Sequence, residues 1–267
     1  MDLSDLQKAI AAAADDLAQL APSVGNKGKA YEIWIALELA VRLLRLGYDV
    51  EAHDPAGVEV VVFRARGAPG GMSSANAVGD DNPSHFRVSG WGRALEIHLG
   101  LQVLGVSDSR HEIDVTVLPA SVAEDLRDAG GGPYQGPLAV GLELKAYDEK
   151  HKLNQVFPRA LLGVAVDVHP IWLFPAISMG TAGGAEHRRQ LSRRALIGLL
   201  TSTELYDNSR DLLDGHGMLA GDQVRPGADE FHIDRVVNEI IRELGPHRRR
   251  GRGRMRSPRR PEATRRT

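Results

Sequence analysis

Acidic and basic side chains occur in two short segments of the chain that have the pattern of β-strands. The first, residues 111–118, contains Asp114, and the second, residues 138–146, contains Glu143 and Lys145. Side chains alternate across a strand, so Glu143 and Lys145 project from one face. If the two segments are neighbouring strands, Asp114 lies close to that pair. The same alternation predicts one apolar face for the first segment, made by Ile113, Val115 and Val117.

Residues of these types suit metal-assisted hydrolysis. Two carboxylates and a backbone carbonyl are typical oxygen ligands for a hard cation such as Mg²⁺. A lysine beside the ion can orient a water molecule and stabilise charge on a phosphate. Glu112 is either a further ligand or a solvated acid. The simpler interpretation is that Asp114 is an acid without a metal and that Glu143 and Lys145 form an ion pair of small energetic value.

A further carboxylate, Glu32, lies in a mostly apolar stretch. Residues 29–46 have the pattern of a helix that Gly47 ends. The polar stripe of that helix contains Glu38, Arg42 and Arg45, and Glu32 lies off it. Glu32 is therefore either an ordinary surface acid or a residue kept for function.

Apolar periodicity predicts the elements that position these residues. We expect helices at 4–20, 29–46, 121–128, within 154–167, at 186–200 and at 229–244. We expect strands at 58–63, 93–106, 111–118, 138–146 and 171–174. In the helix at 121–128, Ser121 and Glu124 have the spacing of a capping box. The order of elements predicts an α/β domain with a mixed central sheet flanked by helices.

Three segments resemble the PD-(D/E)XK, or restriction-endonuclease-like, nuclease superfamily. They are residues 28–32 (GKAYE), 111–115 (HEIDV) and 143–145 (ELK), within a region of similarity that covers about residues 26–174. The resemblance implies the restriction-endonuclease-like fold, with further helices at both ends. Asp114 and Glu143 are 29 positions apart in the sequence, which is longer than the compact hairpin common in that family, so we expect residues 121–137 to loop out.

The resemblance also implies a role for each candidate residue. Asp114, Glu143 and the backbone carbonyl of Leu144 would hold Mg²⁺ or Mn²⁺. Lys145 would be the catalytic lysine, and Glu32 an accessory acid. We therefore expect a metal-dependent nuclease that cuts phosphodiester bonds, with DNA the favoured substrate. The alternatives are an RNA-directed nuclease and a non-catalytic nucleic-acid-binding or complex-building protein on a degenerate nuclease fold.

Composition limits the remaining classes. The chain has no Cys, which excludes disulfides and thiolate chemistry. No apolar run is long enough to span a membrane, and the acidic start MDLSDLQK lacks a signal-peptide pattern, so we expect a cytoplasmic protein. Phosphate-loop, His-Glu-x-x-His and Gly-x-Ser-x-Gly motifs are absent from the sequence.

The net charge of −2 conceals a strong asymmetry. Residues 248–267 contain ten Arg and one Glu, which leaves a charge of −11 on the rest of the chain. We expect residues 1–245 to form the nuclease-like domain and residues 246–267 to be a disordered Arg-rich tail. An acidic body is an unfavourable surface for DNA, so a second copy of the chain or a partner subunit could contribute positive charge.

Overall fold

The structure, a computed structural model, describes residues 27–65, 70–147, 152–169, 195–228 and 231–245. The helix predicted at 4–20, the strand predicted at 171–174 and the Arg-rich tail lie outside the described residues. Within them, no helix combines the length and the apolar character needed to cross a membrane.

Five helices and seven strands make up the described part of the chain. The helices are α1 (Lys27–Arg45), α2 (Ala120–Asp128), α3 (Val156–Val168), α4 (Asp207–Gly215) and α5 (Phe231–Leu244). The strands are β1 (Asp49–His53), β2 (His85–Gly90), β3 (Arg93–Leu104), β4 (Arg110–Pro119), β5 (Val140–Lys145), β6 (Leu196–Thr201) and β7 (Leu219–Gly221).

The seven strands form one mixed sheet in the order of the sequence. Strands β1 to β5 pair antiparallel, whereas β6 pairs parallel with both β5 and β7. Helices α1 and α5 share one buried cluster with the sheet, and α2, α3 and α4 share a second. Leu200 belongs to the first cluster and Leu199 to the second, so the clusters cover opposite faces. The prediction of an α/β domain with a mixed, helix-flanked sheet is confirmed.

Two predicted elements were wrong where the structure describes them. Residues 186–194 of the helix predicted at 186–200 lie outside the described residues, but residues 196–200 belong to β6, which is buried between two parallel neighbours. A short, continuously apolar run fits a buried strand as well as a helix, because both of its faces are covered. The strand predicted at 58–63 is reduced to a single bridge between His53 and Glu59, and Val62 is 65% exposed.

The region between β4 and β5 also differs from expectation. Pro119 caps α2 without any side-chain hydrogen bond, so the capping box of Ser121 and Glu124 does not form. Glu124 forms an ion pair with Arg87 instead. The segment does not loop out, because α2 packs on the sheet and buries Arg127.

The apolar face predicted for β4 breaks at Asp114. Val115 and Val117 lie in the first buried cluster, but Ile113 lies in the second. Between the pairs Leu99–Val115 and Leu101–Ile113, β3 has Gly100 with a φ of 57°. This left-handed conformation suits glycine and interrupts the regular pleat at the level of Asp114.

Candidate active site

Asp114, Glu143 and Lys145 converge where β4 and β5 separate. Lys145 Nζ lies 2.5 Å from Glu143 Oε1 and 3.6 Å from Asp114 Oδ2. The two carboxylate oxygens are therefore at most about 6.1 Å apart, the sum of these two distances. The structure thus brings together the three side chains that the sequence pattern singled out.

The backbone of Leu144 also reaches this point. Pairing between β4 and β5 ends at Val115 and Leu142, and beyond it the Leu144 N–H donates to Asp114 Oδ2 at 2.6 Å. In a strand, the N–H and C=O of one residue point to the same side. The Leu144 carbonyl, the expected third ligand, is therefore directed towards β4 and Asp114.

Glu32 approaches the site from the first turns of α1. Its neighbour Tyr31 is buried and donates from its hydroxyl to the Val224 carbonyl at 2.8 Å, which anchors this end of the helix. Lys29 Nζ lies 2.8 Å from Glu32 Oε2. Burial raises the pKa of Glu32, and the negative charges of Asp114 and Glu112 raise it further. Glu32 therefore lies within electrostatic range of the strand carboxylates.

Crowding of negative charge is common to the whole group. Burial raises the pKa of Glu143, and the neighbouring Asp114 adds to the rise. Partial desolvation and Asp114 also raise the pKa of Glu112. Burial alone would lower the pKa of Lys145, but the adjacent carboxylates raise it above its ordinary value. The site therefore holds four carboxyl groups and two lysines, an excess of negative charge that a cation would relieve.

The C-terminal end of β6 holds Lys145 in position. The Lys145 carbonyl accepts a hydrogen bond from the Ser202 N–H at 3.1 Å. The Ser202 hydroxyl bonds both the N–H and the carbonyl of Tyr147 at 3.0 Å. The hydrogen bonds with Ser202 therefore fix the end of β5 on the side of β6. On the side of β4, the same strand end is held by the bond from the Leu144 N–H to Asp114.

A second polar cluster, which the sequence did not reveal, lies under α2. Of the described residues, only His85, Glu96 and His98 form a group of three whose ligand atoms all lie within 4.8 Å, so they could hold a metal ion. All three are buried. Glu96 and His98 are two residues apart in the sequence, so they share one face of β3 and could have indicated a polar site. A polar face of a strand is ordinarily expected to be exposed to solvent, however. β2, which carries His85, was not predicted.

Arg127 from α2 supplies positive charge to this histidine cluster. Its guanidinium donates to both oxygens of Glu96, at 2.9 and 2.6 Å. Burial would raise the pKa of Glu96, but the hydrogen bonds from Arg127 and from His98 overcome this effect and lower it. Nη2 of Arg127 also lies 3.1 Å from His85 Nε2, which makes that nitrogen the acceptor. The proton of neutral His85 is then on Nδ1, which has no hydrogen-bond partner among the described residues.

Acid should destabilise the fold through these histidines. Burial lowers the pKa of His85 to about 3 and also lowers that of His98. The unfolded chain therefore takes up protons at a higher pH than the native chain, so stability is present above about pH 6.5 and is lost as the pH falls. Protonation of His85 in the unfolded chain, but not in the native chain, should lower the free energy of unfolding by about 2 kcal/mol between pH 7.5 and pH 5.

Urea unfolding at pH 7.5, 6 and 5 measures this effect. His85→Gln should flatten the pH dependence, whereas His216→Gln, at an exposed histidine, should leave it unchanged. If the free energy of unfolding changed with pH to the same extent in the wild type and in His85→Gln, the pKa of His85 would not be lowered in the native chain.

No family model, no curated protein and no solved structure matches this chain.

Proposed function

We propose that the chain is a metal-dependent nuclease that hydrolyses phosphodiester bonds, with DNA as the favoured substrate and Mg²⁺ or Mn²⁺ as the cofactor. The observation that carries the proposal is the position of Lys145, whose ammonium lies beside the carboxylates of both Asp114 and Glu143. Two acids and a lysine at one strand end are the groups that metal-assisted phosphoryl chemistry needs.

The donor set fits a hard cation. Oxygen ligands of one ion lie about 2.0–2.6 Å from it, so two of them are at most roughly 5 Å apart. The upper bound of about 6.1 Å on the distance between the Asp114 and Glu143 oxygens is only about 1 Å above that limit. The orientation of the Leu144 peptide favours its carbonyl as the third ligand. All three donors are oxygen, which favours Mg²⁺ or Mn²⁺ over softer metals.

Each residue has a distinct part in the proposed reaction. Asp114, Glu143 and the Leu144 carbonyl would hold the ion, which when bound would supply positive charge to the phosphate and activate water. Lys145 would orient the attacking water and stabilise the negative charge that develops on the phosphate. Glu32, with a raised pKa and within electrostatic range of Asp114, would act on the site through water or a second ion.

A cleavage assay tests the proposal. Chelator-treated protein is incubated with Mg²⁺ or Mn²⁺ and with linear duplex DNA, circular duplex DNA, single-stranded DNA or RNA. We expect metal-dependent cleavage of DNA that Glu143→Gln abolishes. Binding without cleavage under every condition would favour the non-catalytic alternative, and cleavage of RNA alone would reassign the substrate.

The Arg-rich tail should strengthen binding without taking part in the chemistry. Truncation after Gly245 removes ten of the 33 basic residues and leaves α5 intact. Each arginine that neutralises a phosphate releases a counterion, which contributes about −0.9 to the slope of log affinity against log salt on duplex DNA. If three to five arginines bind at once, truncation should make the slope less negative by about 2.7 to 4.5.

Fluorescence anisotropy on duplex DNA over a series of salt concentrations measures this slope for the full and truncated chains. Cleavage at saturating substrate should be the same in both. An unchanged slope would remove the tail from DNA binding, and loss of cleavage at saturation would place part of the active site in it.

A further inference from the structure

An exposed aromatic residue lies beside Lys145. Tyr147 is two residues beyond the lysine and is 46% exposed, although it is large and partly apolar. Phe157 of α3 packs against it, with ring centroids 6.0 Å apart and a tilt of 52°. Lys145 Nζ lies 5.7 Å from the centroid of the Phe157 ring. The lysine and the two rings, here called the aromatic platform, thus form one continuous surface.

The aromatic platform has a fixed backbone. Ser202 bonds both the N–H and the carbonyl of Tyr147, so the residue is held at two points. Phe157 belongs to the first turn of a 13-residue helix. A ring on a held backbone loses little conformational freedom when a second ring stacks on it, which is the general advantage of preorganisation.

The ammonium of Lys145 places a positive charge next to the rings, 5.7 Å from the centroid of Phe157. The first turn of α3 contains no acidic residue that would oppose it. The N–H groups of that turn are already paired, since Val156 donates to Asn154 Oδ1 and Phe157 to the Asn154 carbonyl, so the positive charge beside the rings is that of the lysine. A ligand with a negative group and a flat aromatic group in close succession would satisfy all of these features, and a nucleotide unit of a nucleic acid is such a ligand.

We propose that Tyr147, supported by Phe157, stacks on a nucleobase next to the scissile phosphate, and that the enzyme therefore prefers single-stranded nucleic acid. The inference rests on the proposed nuclease function, since it takes the phosphate to lie at Lys145. In a duplex the bases stack on one another, so their faces are not accessible to a side chain. In a single strand every base has a free face, and aromatic side chains bind it with little dependence on sequence.

The test compares one oligonucleotide sequence as single-stranded DNA, single-stranded RNA and duplex DNA. For the wild type we expect the highest kcat/KM on a single strand. Tyr147→Ala should raise KM for that substrate on the order of 10- to 100-fold with a much smaller change in kcat, and should reduce the preference over duplex. Tyr147→Phe keeps the ring and should restore KM. The DNA and RNA arms show which sugar is accepted.

Tyr206→Ala is the matched control, because Tyr206 is 48% exposed but lies next to Lys152 instead of Lys145. It should leave KM unchanged. Cleavage that Tyr147→Ala does not impair, or that favours duplex in the wild type, would overturn the aromatic platform while leaving the nuclease proposal intact.

Anisotropy with the single-stranded oligonucleotide separates the remaining outcomes. Binding that depends on Tyr147 in a chain that cleaves nothing would uphold the stacking of Tyr147 on a base but contradict the nuclease and the position next to a scissile phosphate. A chain that neither binds nor cleaves would contradict both.

Discussion

Replacement of Lys145 by alanine is expected to slow cleavage by on the order of 10²-fold or more at saturating metal and substrate. The ammonium lies 2.5 Å from Glu143 and 3.6 Å from Asp114, so it is positioned where charge develops on the phosphate in the proposed reaction. An interaction that strengthens in the transition state affects kcat more than KM. The fold should persist, because the lysine side chain is partly exposed at a strand end.

Single-turnover rates and thermal unfolding measure the two parts of this prediction. Lys152→Ala is the control, since Lys152 is an exposed lysine that pairs with Glu204 outside the proposed site. Asp114→Asn should also lose activity and, in addition, its response to metal concentration, because a neutral amide is a poorer ligand for a hard cation. If Lys145→Ala cleaved DNA at the wild-type rate, the lysine would be only an ion-pair partner of Glu143 and Asp114, with no part in catalysis.

Replacement of Arg127 by methionine is expected to cost about 3–5 kcal/mol of unfolding free energy. Glu96 is fully buried and accepts two hydrogen bonds from this guanidinium. Without Arg127, the carboxylate stays in a buried site whose remaining partners are the two neutral histidines and Arg87, whose Nη1 lies only within 4.0 Å of Glu96 Oε1. The loss of one member of a buried pair is severe because the remaining charge is desolvated without compensation.

Urea unfolding at pH 7.5 compares this variant with Arg242→Met. Arg242 pairs with Glu239 on the surface of α5, and its side chain is 56% exposed, so its loss should cost no more than about 1 kcal/mol. The double variant Glu96→Leu/Arg127→Met should regain part of the lost stability, since it removes both charges. Equal losses for Arg127→Met and Arg242→Met would show that Glu96 does not depend on the guanidinium.

One part of the candidate site, the pair Glu143 and Lys145, could be predicted from the alternation of side chains between the two faces of a strand. Glu143 and Lys145 share a face because they are two residues apart in a strand, and this follows from local geometry. The meeting of Asp114 with that pair needed only that β4 and β5 be neighbours. The role proposed for Glu32 came from the family resemblance, because no local rule places a helix turn beside a strand end.

The histidine cluster and the arginine that stabilises it could not be predicted, because together they come from three elements. His85, Glu96 and Arg127 meet only through the pairing of β2 with β3 and the packing of α2 on the sheet. A polar face on β3 would ordinarily be assigned to solvent. The burial of this face depends on tertiary packing. Arg127 comes from α2, in the region that was expected to loop out, and its positive charge compensates for the burial of the Glu96 carboxylate.

The errors in secondary structure have a similar cause. The run that became β6 contains only apolar and small residues, so its periodicity could not separate helix from strand. The break in β4 at Asp114 depends on Gly100 of the neighbouring strand, and a pattern within β4 alone gives no sign of it.

Binding of Mn²⁺ to chelator-treated protein, followed by electron paramagnetic resonance, tests the central claim most directly. Asp114→Asn and Glu143→Gln should each weaken Mn²⁺ binding by at least about 10-fold. Mutation of a residue that only hydrogen-bonds to a metal ligand already weakens metal binding by about 10- to 100-fold, so loss of a ligand should cost no less. His98→Gln should bind Mn²⁺ like the wild type, because Arg127 supplies positive charge to Glu96 in the histidine cluster. Binding that survives in Asp114→Asn and is lost in His98→Gln would place the metal in the histidine cluster and contradict the proposed active site.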